Sequence, residues 1–257
     1  MVAHLALGFA AGLVIATITA PVGVSGAVFL LPFQLSVLDV PNPAVTPTNL
    51  LYNVIAGPGA LLRYRRSGVV AGPLTRLLLA GTVPGVVIGA VIRVFVLPGP
   101  DAFRIIAGVV LLTLGLWLIR RTLGPTRTHR PLSARAVVTL ALGVGVVGGV
   151  YGIGGGSILS PILVGSGLAM TVVAPAALAS TFVTSVIGAL TYAVLALFAQ
   201  GSIAPDWSIG IACGLGGLLG GYLGARLQPR LPEEALRLLL GCVAAGIGGL
   251  YLLQAAA

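Results

Sequence analysis

Residues 148–161 read Gly-Gly-Val-Tyr-Gly-Ile-Gly-Gly-Gly-Ser-Ile-Leu-Ser-Pro. This glycine-rich stretch lies inside a long apolar segment, not between two segments. Glycine adopts backbone conformations that other residues avoid, and it leaves the neighbouring N–H groups uncovered. The stretch therefore predicts a tight turn within the segment, followed by a new helix that begins near Gly155.

The composition around this stretch is that of an integral membrane protein. Of the 257 residues, 58% are hydrophobic and only 7% are charged, whereas a soluble domain carries about 25% charged residues. Residues 5–38, 40–62, 136–205, 207–225 and 238–257 contain no Asp, Glu, Lys, Arg or His. A bilayer core needs about 20 apolar residues per helix, so these runs predict several membrane-spanning helices.

The first twenty residues predict a membrane helix and not a cleaved signal peptide. No basic region precedes them, and the apolar run continues to Leu38. Cys213 and Cys242 lie in glycine-rich apolar segments without metal-ligand neighbours, so we expect them to be reduced packing residues.

The glycine turn occurs twice, because the chain contains a duplication. Gly23-Val24-Ser25-Gly26-Ala27 followed by Pro32 aligns with Gly152-Ile153-Gly154-Gly155-Gly156 followed by Pro161, at an offset of 129. Further matches continue to the end of each half with offsets of up to 135. The sequence therefore predicts a first repeat over residues 1–119, an Arg-rich linker over 120–135 and a second repeat over 136–257.

Each repeat is predicted to contain five helical pieces. The first apolar segments span 5–38 and 136–166, and as single helices they would be about 50 Å long, against a bilayer core of about 30 Å. We therefore expect each to fold back at its glycine turn and to be followed by three transmembrane helices. The fold class is all-α, a polytopic membrane protein of two inverted repeats, an architecture that recurs in secondary transporters.

The arginines favour inversion of the two repeats. If the repeats are inverted, twelve of the fourteen basic residues lie on one side of the membrane, as the positive-inside rule requires. Arg93 and Arg104 alone lie on the other side. The linker around Thr126 and the loop around Ser67 are then cytoplasmic, and Asp206 is outside.

The glycine turns are the candidate site for a small anion. A helix that begins near Gly155 directs its free N–H groups, its positive dipole end and the Ser157 hydroxyl towards one point, which suits an oxyanion. The predicted ligands at the two turns are Gly23, Ser25, Gly26, Gly152, Gly154, Gly155, Gly156 and Ser157. The alternative is that these glycines only allow helices to pack closely.

The segment after each turn adds neutral polar groups at helical spacing. Asn49 and Asn53 lie one turn apart, and Ser180, Thr181, Thr184 and Ser185 occupy the matching place in the second repeat. Amides and hydroxyls can donate to an anion without the cost of burying a full charge. The two amides are spaced to hold two oxygens of one sulfonate, although such groups also join helices to each other.

Other classes of function are disfavoured by what the apolar segments lack. All five acidic residues fall at or near predicted loops, and His4 and His129 lie outside the apolar runs. No catalytic triad or metal cluster is recognisable, so we expect neither an enzyme nor a cofactor. The net charge of +9 comes from arginines at helix ends, which indicates anionic lipid headgroups as partners and not nucleic acid.

These motifs resemble the TauE/SafE group of sulfite exporters. The resemblance rests on Gly152, Ile153, Gly154, Gly155, Gly156 and Pro161, and on a second signature formed by Ala177, Ala179, Ser180 and Thr181. The first repeat departs from it, since Ser25 and Ala27 replace glycines and Pro47, Asn49, Tyr52 and Asn53 form a polar face. The resemblance implies transport of a sulfur oxyanion or small organosulfonate across a prokaryotic plasma membrane, often outward.

Two other functions are compatible with the same sequence features. An exporter of the drug/metabolite type shares the size and the inverted repeats but carries neutral or zwitterionic substrates. A passive channel or a membrane scaffold would lack turnover. Counterflow exchange separates a carrier from a channel, because only an alternating-access carrier exchanges labelled for unlabelled substrate against a gradient.

Overall fold

Ten α-helices make up the chain in the computed structural model, which describes residues 2–65, 70–96, 100–124, 132–198, 203–230 and 232–256. Their bounds are α1 Val2–Thr19, α2 Ala27–Ser36, α3 Val45–Tyr64, α4 Pro73–Phe95, α5 Pro100–Leu123, α6 Ala134–Tyr151, α7 Gly156–Gly165, α8 Met170–Leu195, α9 Trp207–Leu227 and α10 Glu233–Ala256. No strand occurs in this part of the chain. The predicted all-α fold with five helical pieces in each half is confirmed.

Both long apolar segments break at their glycine turns. Helix α6 ends at Gly152, which adopts a left-handed conformation with φ of +67°, and Gly154 has φ of +68°. In the first half a 3-10 turn over Ala20–Val22 is ended by Gly23 with φ of +70°. These three positions favour glycine because a side chain destabilises this region of φ. Gly155 has φ of −70°, so it needs glycine for another reason.

Three of the helices begin at residues that suit a helix start. The Ser133 side chain accepts from the Ala136 N–H at 3.2 Å, and Asp206 accepts from the Ile209 N–H at 2.9 Å. Helix α4 begins with Pro73 at its first position, where the missing N–H has no cost.

Helix α5 continues through Arg120 and Arg121, so the helical part of the chain extends into the stretch that the sequence assigned to the linker. Thr126 and Ser67, whose predicted side of the membrane is cytoplasmic, both lie outside the described residues. Their location therefore stays a prediction.

Five helices are long and apolar enough to cross a bilayer within the described part of the chain. They span Val2–Val22, Pro73–Phe95, Ala134–Tyr151, Met170–Leu195 and Trp207–Arg230. The chain is therefore a multi-pass membrane protein.

Glycines spaced four residues apart bring pairs of helices into backbone contact. A Cβ added to Gly216, Gly220 or Gly224 of α9 would lie 2.0–2.4 Å from a carbonyl oxygen of α1, at Phe9, Leu13 and Thr17 in turn. Gly81, Gly85 and Gly89 of α4 meet the carbonyl oxygens of Val138, Leu142 and Val146 of α6 in the same way, at 2.1–2.5 Å. Small residues at such interfaces let backbones approach closely in membranes. Both pairs are parallel, because residue numbers rise together along the two helices.

The equivalent helices α3 and α8 run antiparallel at the centre of the molecule. Gly57 of α3 lies against Phe182 of α8, and Leu50 lies against Gly188. Residue numbers therefore rise along α3 in the direction in which they fall along α8. Helices α5 and α10 pack mainly on each other, also antiparallel, with Gly115 against Gly241 and Gly108 against Gly248. This geometry is what an inverted repeat requires, and the orientation of each half in a membrane stays a prediction.

The two ends of α3 define two faces of the molecule. Thr48 at its start accepts from the Asp206 N–H at 2.8 Å, and we call this end the Asp206 face. Tyr64 lies 16 residues further on, about 24 Å away along the helix. Near it Gln228 donates to the Pro21 carbonyl at 2.7 Å, and Tyr64 donates to the Ala20 carbonyl at 3.3 Å. This end is the Tyr64 face.

The two faces are expected to lie on opposite sides of the membrane. We would label single cysteines at Ala71, in the loop that follows α3, and at Ala204, beside Asp206, both of which are exposed. The background would carry Cys213→Ala and Cys242→Ala to remove the native thiols. A membrane-impermeant maleimide should modify Ala204→Cys in intact cells and Ala71→Cys only after permeabilisation. Labelling of both positions from one side would contradict the inverted arrangement.

Candidate functional site

The two glycine turns meet at the centre of the protein. The Ser25 N–H of the first turn donates to Ser157 Oγ of the second at 3.0 Å. Ser157 Oγ also lies 3.3 Å from Thr181 Oγ1 on α8. The N-termini of the short helices α2 and α7, one from each half, are therefore neighbours. Each carries a partial positive charge of about half an elementary charge.

The backbone carbonyls of the second turn are capped by side chains from α3 and α8. Four consecutive carbonyls, those of residues 149–152, each accept a side-chain hydrogen bond. The donors are Tyr192 OH to Gly149 at 3.0 Å, Thr46 Oγ1 to Val150 at 3.2 Å, Asn49 Nδ2 to Tyr151 at 3.4 Å and Asn53 Nδ2 to Gly152 at 3.3 Å. The negative end of α6 is thereby satisfied without water.

The first turn is capped in a similar way. The carbonyls of Ala20, Pro21 and Val22 accept from Tyr64 OH, Gln228 Nε2 and Ser160 Oγ, the last at 2.7 Å. Tyr64 and Tyr192 have similar roles, since each caps the carbonyl three residues before the first glycine of its turn. In both halves these side-chain donors go to carbonyl oxygens. At the start of α2, the Ala27 N–H donates to Ser25 Oγ at 3.2 Å.

A cavity lies beside the meeting point of the turns. Its polar end is formed by Ser25, Asn53 and Thr181, and its walls are apolar or glycine, from α1, α3, α8 and α9. The cavity measures about 30 Å³, more than the roughly 10–15 Å³ that one water molecule needs. Along α3 it runs from Asn53 to Ala60, towards the Tyr64 face.

An unpartnered hydroxyl points at the second turn. Ser185 is fully buried, and its Oγ has no hydrogen-bond partner in the structure. The same atom lies 3.2 Å from the position that a Cβ of Gly154 would take, and Thr181 Cγ2 lies 2.6 Å from it. A buried hydroxyl without a partner is costly unless something binds to it. The arrangement supplies a donor next to the start of α7.

Close packing also favours glycine at all six of the predicted turn positions. A Cβ added to Gly23 would lie 2.5 Å from the Ala174 Cα, and one added to Gly156 would lie 2.0 Å from the Ala177 carbonyl oxygen. A Cβ on Gly26 would lie 2.3 Å from the Tyr52 hydroxyl oxygen. A larger residue at Gly23 or Gly156 must therefore move a neighbouring helix, and one at Gly26 must displace the Tyr52 side chain, whether or not an anion binds at the turns.

Two of the predicted hydroxyls are bonded away from the cavity. Ser180 Oγ pairs with Thr82 Oγ1 of α4 at 3.0 Å, and Thr184 donates to the Ser180 carbonyl at 2.7 Å. Neither Ser180 nor Thr184 lines the cavity described above.

The two asparagines differ in their surroundings. Asn49 Nδ2 donates to the Ala27 and Tyr151 carbonyls, and its Oδ1 has no hydrogen-bond partner. Asn53 lines the cavity, donates to Gly152 and accepts from the Ser25 hydroxyl. In this conformation Asn49 joins α3 to both turns, while Asn53 both joins them and faces the cavity.

Sequence reasoning missed several residues that shape this region. Thr46, Thr82, Ser160 and Tyr192 are buried and hydrogen-bonded across the molecule, and Phe182 lines the cavity. No motif or repeat position in the sequence marked these residues. The sequence also placed Arg93 outside the membrane interior, but it lies in the last turn of α4 and is only 1% exposed. No group of three or more metal-ligating side chains was found among the described residues.

Two broken helices whose N-termini meet inside a bundle of apolar helices are typical of membrane transporters. A family model described as "Sulfite exporter TauE/SafE" matches residues 8–251. The chain therefore belongs to the TauE/SafE sulfite exporter family, whose members are membrane transporters of sulfur anions at the level of the family. No curated protein and no solved structure matched the chain.

Replacing each asparagine separately is expected to give different results. Asn49→Leu leaves the Tyr151 carbonyl without its donor, a loss of about 1–3 kcal/mol, and should lower the melting temperature of the purified protein. Asn53→Leu should lower it too, and should also weaken sulfite binding roughly 10- to 100-fold if its amide turns to the anion. Thermal melts and affinity measured on the same samples test this. Unchanged affinity in Asn53→Leu would remove that residue from the site.

Proposed function

We propose that the protein is a secondary carrier that exports sulfite, a related sulfur oxyanion or a small organosulfonate by alternating access. The anion binds where the two glycine turns meet, against the N-terminal N–H groups of α2 and α7. The membrane is a prokaryotic plasma membrane, and the Tyr64 face is cytoplasmic. Arg65, Arg76 and Arg226 are exposed at this face. Membership of a sulfite exporter family supports the class of substrate.

The observation that carries this proposal is the contact between the two helix N-termini. Ser25 N and Ser157 Oγ are 3.0 Å apart, so two positive dipole ends face each other. Among the described residues no carboxylate is buried to offset them. A bound anion supplies the missing negative charge, and helix N-termini bind oxyanions through free N–H groups.

Hydroxyl groups around the turns complete the proposed site. Ser185 Oγ, which has no partner, points at Gly154. Ser25 and Thr181 lie at the polar end of the cavity. Hydrogen bonds from neutral donors to a charged oxyanion are stronger than those between neutral groups. The site is thus suited to a small anion with several oxygens, and it requires neither a buried lysine nor a metal ion.

The cavity on one side of the turns supports the proposal of alternating access. The cavity extends from Asn53 towards the Tyr64 face. On the other side the turns are covered by hydrogen bonds between α3, α6 and α8, including those of Thr46, Asn49 and Tyr192. We assign the structure to a state that favours the cytoplasmic side. If the two halves exchange their conformations, the Tyr64 face closes and the Asp206 face opens.

Bulk at the second turn is expected to stop transport. A Cβ at Gly155 would lie 2.5 Å from Thr82 Cγ2, so Gly155→Val must displace α4 or the turn and cover the N–H groups at the start of α7. Gly143→Val on α6 is the matched control, because no atom lies within 4 Å of a Cβ there. Both variants should reach the membrane, and only Gly155→Val should lose sulfite transport. Normal transport by Gly155→Val would mean that the turn serves only in helix packing and does not bind the anion.

The proposed function is tested by counterflow in proteoliposomes that contain the purified protein. Vesicles loaded with unlabelled sulfite should accumulate labelled sulfite transiently, and thiosulfate, sulfoacetate or taurine added outside shows which analogues compete. A carrier gives this overshoot, whereas a passive channel only equilibrates the label. Exchange of neutral analogues without any response to sulfite would favour a drug/metabolite type of exporter instead.

A further inference from the structure

An arginine is buried at the Asp206 face of the protein. Arg93 lies in the last turn of α4 and is 1% exposed. Its guanidinium donates to the side-chain oxygen of Asn42, which precedes α3. Among the described residues it is the only charged side chain in the buried interior. Charged groups within a membrane protein are costly and commonly mark the path of a substrate.

The surroundings of Arg93 connect it to the second turn. The side chains of Tyr151 and Tyr192 lie near the guanidinium. Tyr151 is the last residue of α6, immediately before Gly152, and Tyr192 caps the Gly149 carbonyl. Arg93 therefore lies on the side of the turn that faces away from the cavity, behind the hydrogen bonds that close this side.

Two acidic residues whose side chains the structure describes at this face, Asp206 and Asp39, are engaged or exposed. Asp206 caps the start of α9 through the Ile209 N–H, and its own N–H donates to Thr48. Asp39 is exposed and has φ of +51° in the loop after α2. The acceptor on Asn42, by contrast, is the oxygen of a neutral amide. An oxyanion is a stronger acceptor than an amide oxygen, so it is able to displace Asn42.

We propose that Arg93 is the anion-binding residue of the Asp206 face. Its guanidinium donates to Asn42 while that side is closed, and it donates to the anion instead when that side opens. This inference rests on the proposed function and adds a charged subsite to the neutral site at the turns. A guanidinium offers five donors in a planar fork that matches two oxygens of an oxyanion. Its charge also raises the local concentration of anions at that entrance.

Side-specific kinetics test this role. In proteoliposomes of known orientation, Arg93→Gln should raise the KM for sulfite presented to the Asp206 face by about tenfold or more, as expected for the loss of one charge-assisted hydrogen bond. The KM at the Tyr64 face should change much less. Arg93→Lys keeps the charge and should recover part of the loss. Arg76→Gln is the matched control, because Arg76 is exposed at the other end of the same helix.

A second variant keeps the test decisive if Arg93→Gln does not fold. Asn42→Ala leaves the arginine in place and removes the competing acceptor, so it should lower the KM at the Asp206 face. An unchanged or higher KM at this face in Asn42→Ala would overturn the inference. So would an unchanged KM in Arg93→Gln, or an equal rise at both faces. Absence of sulfite transport by the wild-type protein would instead refute the proposed function, which separates the two failures.

Discussion

The structure depends on one constraint: two helices are broken inside an apolar bundle, and their freed backbone groups must be satisfied without bulk water. The carbonyl ends are satisfied by side chains. Tyr192, Thr46, Asn49 and Asn53 donate to residues 149–152, and Tyr64, Gln228 and Ser160 donate to residues 20–22. The N–H ends of α2 and α7 face each other. The asymmetry between capped carbonyls and facing N–H groups is the basis on which we propose that the centre of the protein binds an anion.

Close backbone packing is what brings those side chains within reach. Glycines at every fourth position of α4 and α9 let α6 and α1 approach until a Cβ would overlap a carbonyl oxygen. A larger residue at these positions would push α1 and α6 outward. The turns at their ends would then move away from the donors on α3 and α8. The glycines of the two long helices therefore act through the position of the turns, at a distance from any bound anion.

Much of this architecture was predictable from the sequence, because it follows from lengths and from glycine. Segments of more than 30 apolar residues exceed the thickness of a bilayer, and a glycine cluster in their middle locates the break. The carbonyl caps were not predictable, since Thr46 and Val150 are 104 residues apart and meet only after the helices pack. Arg93 was also missed. Its position near the end of an apolar run indicated an exposed helix end, whereas in the structure it is buried and donates to Asn42 from the loop before α3.

Binding of an oxyanion between the N-termini of α2 and α7 is tested most directly by crystallography with selenite. Selenite is a close analogue of sulfite, and its selenium gives an anomalous signal that locates it in a crystal. We expect one anomalous peak beside Gly154 and Gly155, with selenite oxygens about 2.7–3.2 Å from backbone nitrogens and near the Ser185 hydroxyl. The account would be contradicted if selenite competes with sulfite for binding in solution but its anomalous peak lies only among the exposed arginines of the Tyr64 face.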